Sequence, residues 1–195
     1  MNGSKCWYRF PLTTDDALSS IGLELVAAYT EPNISKMWKN SNLEVFNRDF
    51  LDYFKSMNVE VASSLFFYRV PHYVRPMAHV DMANANKPII VPMGLNFVVT
   101  PDDDSDMIWY ETPNYDLDSS KLIHTTAGTF HISANVNELT EIDRHCIGNR
   151  LTLVRTDLLH NVIMRQSPRF CISLRLVKNP GNWQQCVEYF EKFLE

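Results

Sequence analysis

The segment His79-Val80-Asp81 lies within a run, Ala78 to Met82, whose pattern is typical of a β-strand. Alternate residues of a strand point to the same face, so His79 and Asp81 share one face while Val80 points to the other. One strand can therefore supply two metal ligands. A third can come from His160, far downstream, if the chain folds into a barrel that brings the two segments together.

The second segment, Leu158 to Met164, also has the pattern of a strand, with His160 and Val162 on the same face. Two imidazoles and one carboxylate can hold a divalent iron on one side and leave the opposite coordination positions open for a co-substrate and dioxygen. Such an open site favours chemistry over a purely structural role. We therefore predict that His79, Asp81 and His160 are metal ligands.

A further strand is predicted after the turn signal Ser167-Pro168, because residues 169–176 alternate polar or small side chains with large apolar ones. One face of this strand carries Arg169, Cys171, Ser173 and Arg175. A guanidinium fork suits a dicarboxylate co-substrate, since it pairs with a carboxylate through two parallel charge-assisted hydrogen bonds. Arg169, nine positions after His160, is the preferred candidate. Arg175 competes, but a rise of about 3.3 Å per residue places it roughly 20 Å further along, and only one arginine is expected to reach the iron-bound ligand.

The order of these residues, His79-x-Asp81, then His160, then Arg169, resembles the iron- and 2-oxoglutarate-dependent oxygenase superfamily, whose members share a double-stranded β-helix core. The resemblance covers roughly residues 65 to 177. The run 148–160 is similar to the turn and strand that lead to the distal histidine in that superfamily. The distal stretch resembles the aspartyl/asparaginyl β-hydroxylases, although those enzymes usually lack the metal-binding carboxylate that is present here as Asp81.

This resemblance implies that 2-oxoglutarate and dioxygen are converted to succinate and carbon dioxide while a substrate is hydroxylated. It implies that the three predicted ligands bind Fe(II) and that Arg169 binds the distal carboxylate of 2-oxoglutarate. Many relatives have a serine two positions after this arginine; that position is Cys171 in this chain, and Ser173 follows, so either can line the co-substrate pocket. The expected substrate is a small molecule, an amino acid or a protein side chain.

Asn96 is a lone amide within the apolar run Gly94 to Val99. A buried amide must find hydrogen-bond partners. An iron-bound carboxylate and the neighbouring backbone are both open as partners. In the first case, Asn96 belongs to the co-substrate pocket.

Length and composition indicate one domain. The chain has 195 residues, of which 45% are hydrophobic, so it can bury a substantial core. We predict a single oxygenase domain, residues 1–195, made of a mainly helical buttress (1–63), a β-helix core (64–177) and a C-terminal helix (178–195). The predicted fold class is α+β, mainly β, with a jelly-roll, cupin-like core.

Apolar periodicity places the individual elements. Helices are expected at about 17–28, at about 42–57 and after Asn182. Strand-like runs other than those of the site are found at 65–70, 89–100, 107–111, 129–134 and 151–154.

Charge and composition also limit the expected kinds of partner and the expected cellular location. A net charge of -5 makes nucleic acid an unlikely partner. No stretch approaches the roughly 20 continuous apolar residues of a membrane span, and the N-terminus lacks the apolar core of a signal peptide, so we expect a cytoplasmic protein. The four cysteines are dispersed and are expected to be reduced. Nothing in the sequence fixes the oligomeric state.

Four further histidines compete as ligands: His72, His124, His131 and His145. None has both a carboxylate two positions away on a strand and a downstream arginine in place, so we expect ordinary packed or surface roles for them. Two other functions remain open, because barrels host many activities. One is a non-oxidising cupin-like protein that binds a small acidic ligand, and the other is a redox-neutral cupin isomerase.

Overall fold

The strand-like runs of the sequence form two antiparallel β-sheets. The computed structural model describes residues 5–29, 35–72, 77–83, 89–99, 105–111, 123–124 and 130–195. Within these residues, one sheet has six strands and the other has seven. The chain is mainly β with a few helices, which confirms the predicted α+β class.

The strands, in chain order, are β1 (Trp7–Thr13), β2 (Lys36–Asn40), β3 (Val61–Arg69), β4 (Met77–Ala83), β5 (Ile89–Ile90), β6 (Met93–Val98), β7 (Asp106–Tyr110), β8 (Ile123–His124), β9 (Phe130–Asn135), β10 (Glu141–His145), β11 (Arg150–Arg155), β12 (His160–Ile163) and β13 (Arg169–Leu176). The helices are α1 (Thr14–Ala17), α2 (Ser20–Tyr29), α3 (Arg48–Ser56) and α4 (Trp183–Phe190). Short 3-10 turns occupy Leu43–Val45, Val136–Glu138 and Glu191–Phe193.

The six-stranded sheet has the order β1-β11-β6-β13-β3-β2, and its two faces differ. Phe170 and Ile172 of β13 are buried in one apolar core with Phe54 of α3 and Phe190 of α4. Burying each such side chain contributes about 1.5–3 kcal/mol. The alternate residues of β13, which are those of the predicted polar face, line a cavity together with residues of β4 and β12 from the other sheet. The helices therefore cover one face of this sheet and leave the other for the site.

The seven-stranded sheet has the order β10-β7-β12-β4-β9-β8, and β5 pairs with β4 beside this path. β12 runs along β7 over four registered pairs, from His160 opposite Trp109 to Ile163 opposite Asp106. With β4 it shares the registered pair His160 and His79. The two segments that carry the predicted ligands are thus neighbours in one sheet.

The chain passes repeatedly from one sheet to the other. β3 lies in the six-stranded sheet and β4 in the seven-stranded sheet, and β6 and β7 are divided in the same way. β11 then lies in the six-stranded sheet, β12 in the seven-stranded sheet and β13 in the six-stranded sheet again. Each crossing brings residues that are distant in sequence to the space between the sheets.

The first 63 residues contribute strands as well as the predicted helices. β1 pairs with β11 and β2 pairs with β3, so each forms an edge of the six-stranded sheet. β10, which was also not predicted, forms an edge of the seven-stranded sheet. Proline is tolerated in edge strands because they need not donate to a neighbour on one side, and β1 contains Pro11.

The predicted helix at 42–57 is interrupted. The side chain of Asn42 accepts a hydrogen bond from the Glu44 backbone N–H and starts a 3-10 turn. Phe46 then adopts an extended conformation and forms a bridge with Leu18, which buries its ring before α3 begins. The tertiary contact of Phe46 outweighs the local helical periodicity.

The strand predicted at 89–100 is also divided, into β5, which pairs with β4 of the seven-stranded sheet, and β6, which lies in the six-stranded sheet. Pro92, between them, has no N–H to continue a ladder. Thr100 lies outside the described residues, as does Thr129 of the run 129–134. The predicted C-terminal helix, α4, begins after Asn182, whose side chain accepts from the Gln185 N–H while the Gln185 side chain accepts from the Asn182 N–H. None of the described helices has the length and apolar character needed to span a bilayer.

Candidate metal centre

Three side chains converge between β4 and β12. His79 and Asp81 share a face of β4, as the alternation predicts, and His160 comes from the neighbouring strand β12. The distance from Asp81 Oδ1 is 3.5 Å to His79 Nε2 and 4.0 Å to His160 Nε2. One ligand atom from each residue lies within 4.8 Å of the others, so this group could hold a metal ion.

The strand register aims the two imidazoles at the same space. His160 lies directly opposite His79 across the antiparallel pair, and the ring centroids are 4.4 Å apart at an angle of 48°. Directly opposite residues of such a pair place their side chains on the same face, with Cβ atoms about 4.5–5.5 Å apart. Two distant histidines are thereby brought together by the backbone, without help from a loop.

The tautomer of His160 is set by a backbone contact. Its Nδ1 lies 2.9 Å from the carbonyl oxygen of Leu158, and because a carbonyl only accepts, Nδ1 donates. In the neutral ring, the lone pair then resides on Nε2, the atom that faces Asp81. Metal-binding histidines commonly donate their other ring N–H in this manner, which fixes the ring orientation.

Asp81 is held by its side chain and by its backbone. Its Oδ2 lies 3.4 Å from Nη2 of Arg175, while Oδ1 faces the histidines. Its N–H donates to the Thr156 carbonyl at 3.1 Å, and its own carbonyl accepts from the Val91 N–H at 2.9 Å. The carboxylate is thus oriented before any metal binds. Arg175, which the sequence offered as an alternative to Arg169, therefore lies beside the three predicted ligands. We call these three residues, His79, Asp81 and His160, the ligand group.

A cavity of about 140 Å³ opens beside the three residues. All four residues predicted for the co-substrate pocket line it: Arg169, Cys171, Ser173 and Asn96. These residues come from β13 and β6, which are neighbours in the six-stranded sheet, whereas the ligand group belongs to the seven-stranded sheet. The cavity therefore lies between the two sheets, where the predicted metal and co-substrate residues meet.

Arg169 is the most unusual residue of the cavity. Its exposed fraction is only 6%, and its Nε has no hydrogen-bond partner among the described residues. Asp81 is the only carboxylate among the described lining residues, and it contacts Arg175. Burying a cationic donor without a partner is costly. An anion at Arg169 would remove this cost.

Asn96 presents a buried hydrogen-bond acceptor to the same cavity. It lies opposite Ser173 of β13, and its Oδ1 is buried without a hydrogen-bond partner in the described part of the chain. Oδ1 therefore accepts no hydrogen bond from the described backbone, which bears on one part of the alternative that the sequence left open for Asn96. The oxygen is left for a donor from water or a bound molecule.

No family model, no curated protein and no solved structure matches this chain. The interpretation of the site therefore depends on its geometry.

Two further residues of the cavity bear on its chemistry: His131, for which we expected an ordinary packed or surface role, and Arg69, which the sequence did not single out. His131 of β9 lies opposite Asp81, is only 5% exposed, and has its ring centroid 5.2 Å from that of His79. Arg69 of β3 lies opposite Arg169. Strand alternation places each on a definite face, but only the pairing of distant strands shows that this face is the cavity.

The other competing histidines have different environments. His145 stacks on Trp7, with ring centroids 3.4 Å apart and an angle of 3°, which is a packing role. His72 lies in a turn with φ of 56°. The side chain of His124 lies outside the described residues. Neither His145 nor His72 lines the cavity.

Proposed function

We propose that this protein is an Fe(II)- and 2-oxoglutarate-dependent oxygenase that hydroxylates a small molecule, an amino acid or a protein side chain. The observation that carries the proposal is the presence, in one cavity, of a His-Asp-His group and a buried arginine with an unsatisfied donor. The first feature fits a metal with open coordination positions, and the second fits the far end of a dicarboxylate.

The donor set favours iron. Two imidazole nitrogens and one carboxylate oxygen on one side are the ligands of non-haem Fe(II) oxygenases. The Leu158 carbonyl holds His160 in the required tautomer, and Arg175 holds Asp81, so both ligands have the outer partners that metal sites use. With 2-oxoglutarate and dioxygen, iron supplies the oxidation of a C–H bond to C–OH, and succinate and carbon dioxide are released.

The two arginines of β13 have separate tasks in this proposal. Arg175 is engaged by Asp81, so it orients a metal ligand. Arg169, at the other end of the strand, anchors the distal carboxylate of 2-oxoglutarate, and its burial strengthens this pairing. Ser173 and Cys171 lie between the two arginines on the same face, and Asn96 lies opposite Ser173. They line the path of the co-substrate.

The strand arrangement supports a jelly-roll core. Eight strands of the described chain, four from each sheet, contribute residues to the wall of the cavity: β2, β3, β6 and β13 from one sheet and β4, β7, β9 and β12 from the other. A jelly roll consists of eight antiparallel strands in two sheets. The repeated crossing of the chain between the sheets agrees with this architecture.

The direct test is turnover. Purified protein is incubated anaerobically with Fe(II) and 2-oxoglutarate, and the metal-to-ligand charge-transfer absorption is recorded. Oxygen is then admitted and succinate is measured. We expect both signals. If folded, iron-replete protein bound 2-oxoglutarate but released no succinate, the alternative of a cupin-like binding protein would be favoured. If it gave neither the charge-transfer absorption nor succinate, the proposal would be refuted.

Two substitutions separate the roles of the arginines. Arg169→Gln is expected to retain Fe(II) and to weaken 2-oxoglutarate binding, whereas Arg175→Gln is expected to weaken Fe(II) by about 10–100-fold, the usual effect of losing an outer partner of a ligand. Arg48→Gln, at a side chain that is 92% exposed, is the matched control. If Arg175→Gln weakened 2-oxoglutarate while leaving Fe(II) binding intact, the assignment of Arg169 as the anchor would be wrong.

A further inference from the structure

Arg69 and Arg169 form a like-charged pair on the wall of the cavity. They lie directly opposite each other on β3 and β13, and both line the cavity. Like charges in directly opposite positions of an antiparallel pair destabilise a sheet. The chain nevertheless places the pair on an inner face, with Arg169 almost fully buried. A bound anion offers a physical reason for this arrangement.

The Arg69 guanidinium is held in place by its surroundings. Its Nη1 donates to the carbonyl oxygens of Lys36 and Tyr68, both at 3.0 Å. Its Cζ lies 5.8 Å from the centroid of the Phe67 ring. A guanidinium fixed by two carbonyls and an aromatic ring loses little further entropy when it meets an anion.

The pair lies at the end of the cavity that is distant from the ligand group. On β13, Arg175 contacts Asp81, and Arg169 is six residues away on the same face, roughly 20 Å at the backbone by the rise of a strand. Long side chains shorten this gap. A molecule that reaches from the metal ligands to the pair therefore meets a double positive charge at its far end.

We propose that Arg69 is a second specificity-determining residue, which joins Arg169 to bind the terminal carboxylate and selects a 2-oxo dicarboxylate over a 2-oxo monocarboxylate. The inference rests on the proposed function for the identity of the ligand. It assigns Arg69 a binding role that sequence spacing does not indicate, because Arg69 precedes the ligand strand and meets Arg169 only through strand pairing.

The test compares two probes of equal carbon-chain length, 2-oxoglutarate and 2-oxopentanoate, which lacks the terminal carboxylate. Calorimetric titrations use protein loaded with Mn(II), so that no turnover consumes the probe. Wild type is expected to prefer 2-oxoglutarate strongly. Arg69→Gln is expected to weaken 2-oxoglutarate by about 10–100-fold, as for loss of a charge-assisted hydrogen bond, and to leave 2-oxopentanoate and Mn(II) binding unchanged.

Two further variants control for charge and folding. Arg69→Lys keeps the charge without the fork and is expected to retain part of the preference. Arg48→Gln removes an exposed arginine and is expected to match wild type. Unchanged binding of 2-oxopentanoate shows that the variants are folded, and if Arg69→Gln does not fold, the ratio of the two affinities in Arg69→Lys decides.

The possible failures are distinguishable. If wild type discriminates between the probes and the Arg69 variants do so equally well, the role of Arg69 is refuted while the proposed function stands. If metal-loaded wild type binds neither probe, the proposed function itself is refuted, and the role of Arg69 falls with it.

Discussion

Replacement of Asp81 by alanine tests the metal centre most directly. The substitution removes the carboxylate oxygen that lies 3.5 Å and 4.0 Å from the two histidine nitrogens. It also leaves Nη2 of Arg175, which lies 3.4 Å from Asp81 Oδ2, without this counter-charge. A cation would then face two imidazoles and a guanidinium. We expect Asp81→Ala to fold and to lose most of its affinity for divalent metal.

The expected loss of metal affinity can be bounded from the effect of removing a residue that only hydrogen-bonds to a ligand. Loss of an outer partner of a ligand lowers metal affinity by about 10–100-fold, so loss of the ligand itself should lower it by at least about 100-fold. At a metal concentration of 100 times the wild-type dissociation constant, binding stabilises wild type by about 2.7 kcal/mol, or about 5–10 °C in Tm. The variant would gain only about 0.4 kcal/mol, or about 1 °C.

The assay is thermal unfolding with increasing Fe(II) or Mn(II) under anaerobic conditions. Without metal, Asp81→Ala should lose about 1 kcal/mol or less, because the ion pair with Arg175 is partly exposed, at 23% for each side chain. Asp52→Ala makes the same change of charge at a surface pair with Lys55 and should retain the full metal-dependent shift. If metal raised the Tm of Asp81→Ala as much as it raises the Tm of wild type, the assignment of Asp81 as a ligand would be refuted.

Three further predictions concern the scaffold and its thiols. Phe97→Ala, at a fully buried ring, should cost about 3–5 kcal/mol and lower the Tm by about 6–20 °C, and a loss below 1 kcal/mol would contradict the assigned core. Asn182→Ala should cost about 1 kcal/mol by removing the helix cap, measured by urea unfolding; an unchanged midpoint would contradict the capping geometry. Burial, assisted by the charge of Asp143, raises the pKa of Cys6 to about 12, so at pH 8 only about 10⁻⁴ of this thiol is ionised. Iodoacetamide should therefore label the partly exposed Cys146 before Cys6, and mass spectrometry measures the order of labelling. Earlier labelling of Cys6 would contradict its burial.

The ligand group was predictable because it depends on local rules. Strand alternation places His79 and Asp81 on one face whatever the rest of the chain does. The approach of His160 required the further inference that the two segments meet, which came from the spacing of the residues and from the family resemblance. The structure places the three side chains together. The metal and the co-substrate remain predictions.

The partners of these ligands were not predictable. His131 and Arg69 reach the cavity through the registers of β9 with β4 and of β3 with β13, which no local pattern encodes. The contact of Arg175 with Asp81 depends on where a long side chain ends. Strand alternation had placed Arg175 on the same face as Arg169 and so made it a competitor for one role, whereas the structure gives the two arginines different neighbours.

The strands that escaped prediction share a position in the fold. β1, β2, β8 and β10 all lie at sheet edges. In β2 and β10, the alternation of buried and exposed residues is weak, as is common at sheet edges, whereas β1 buries Tyr8 and Phe10 at alternate positions. β10 illustrates the weak alternation, because its residues are exposed or only partly buried. The interior strands, which carry the site, had the stronger pattern.

The unequal pairing of β12 gives the ligand residues a mechanical role. Within the described residues, β12 has four registered pairs with β7 but shares one with β4, the pair His160 and His79. A metal bound across this seam would act as a removable cross-link between positions 81 residues apart (160 − 79). Because such an ion would bind the folded chain and not the unfolded one, the cross-link would stabilise the folded state by the free energy of metal binding, about 2.7 kcal/mol at 100 times the dissociation constant. Metal occupancy would then govern the cohesion of the seven-stranded sheet as well as its chemistry.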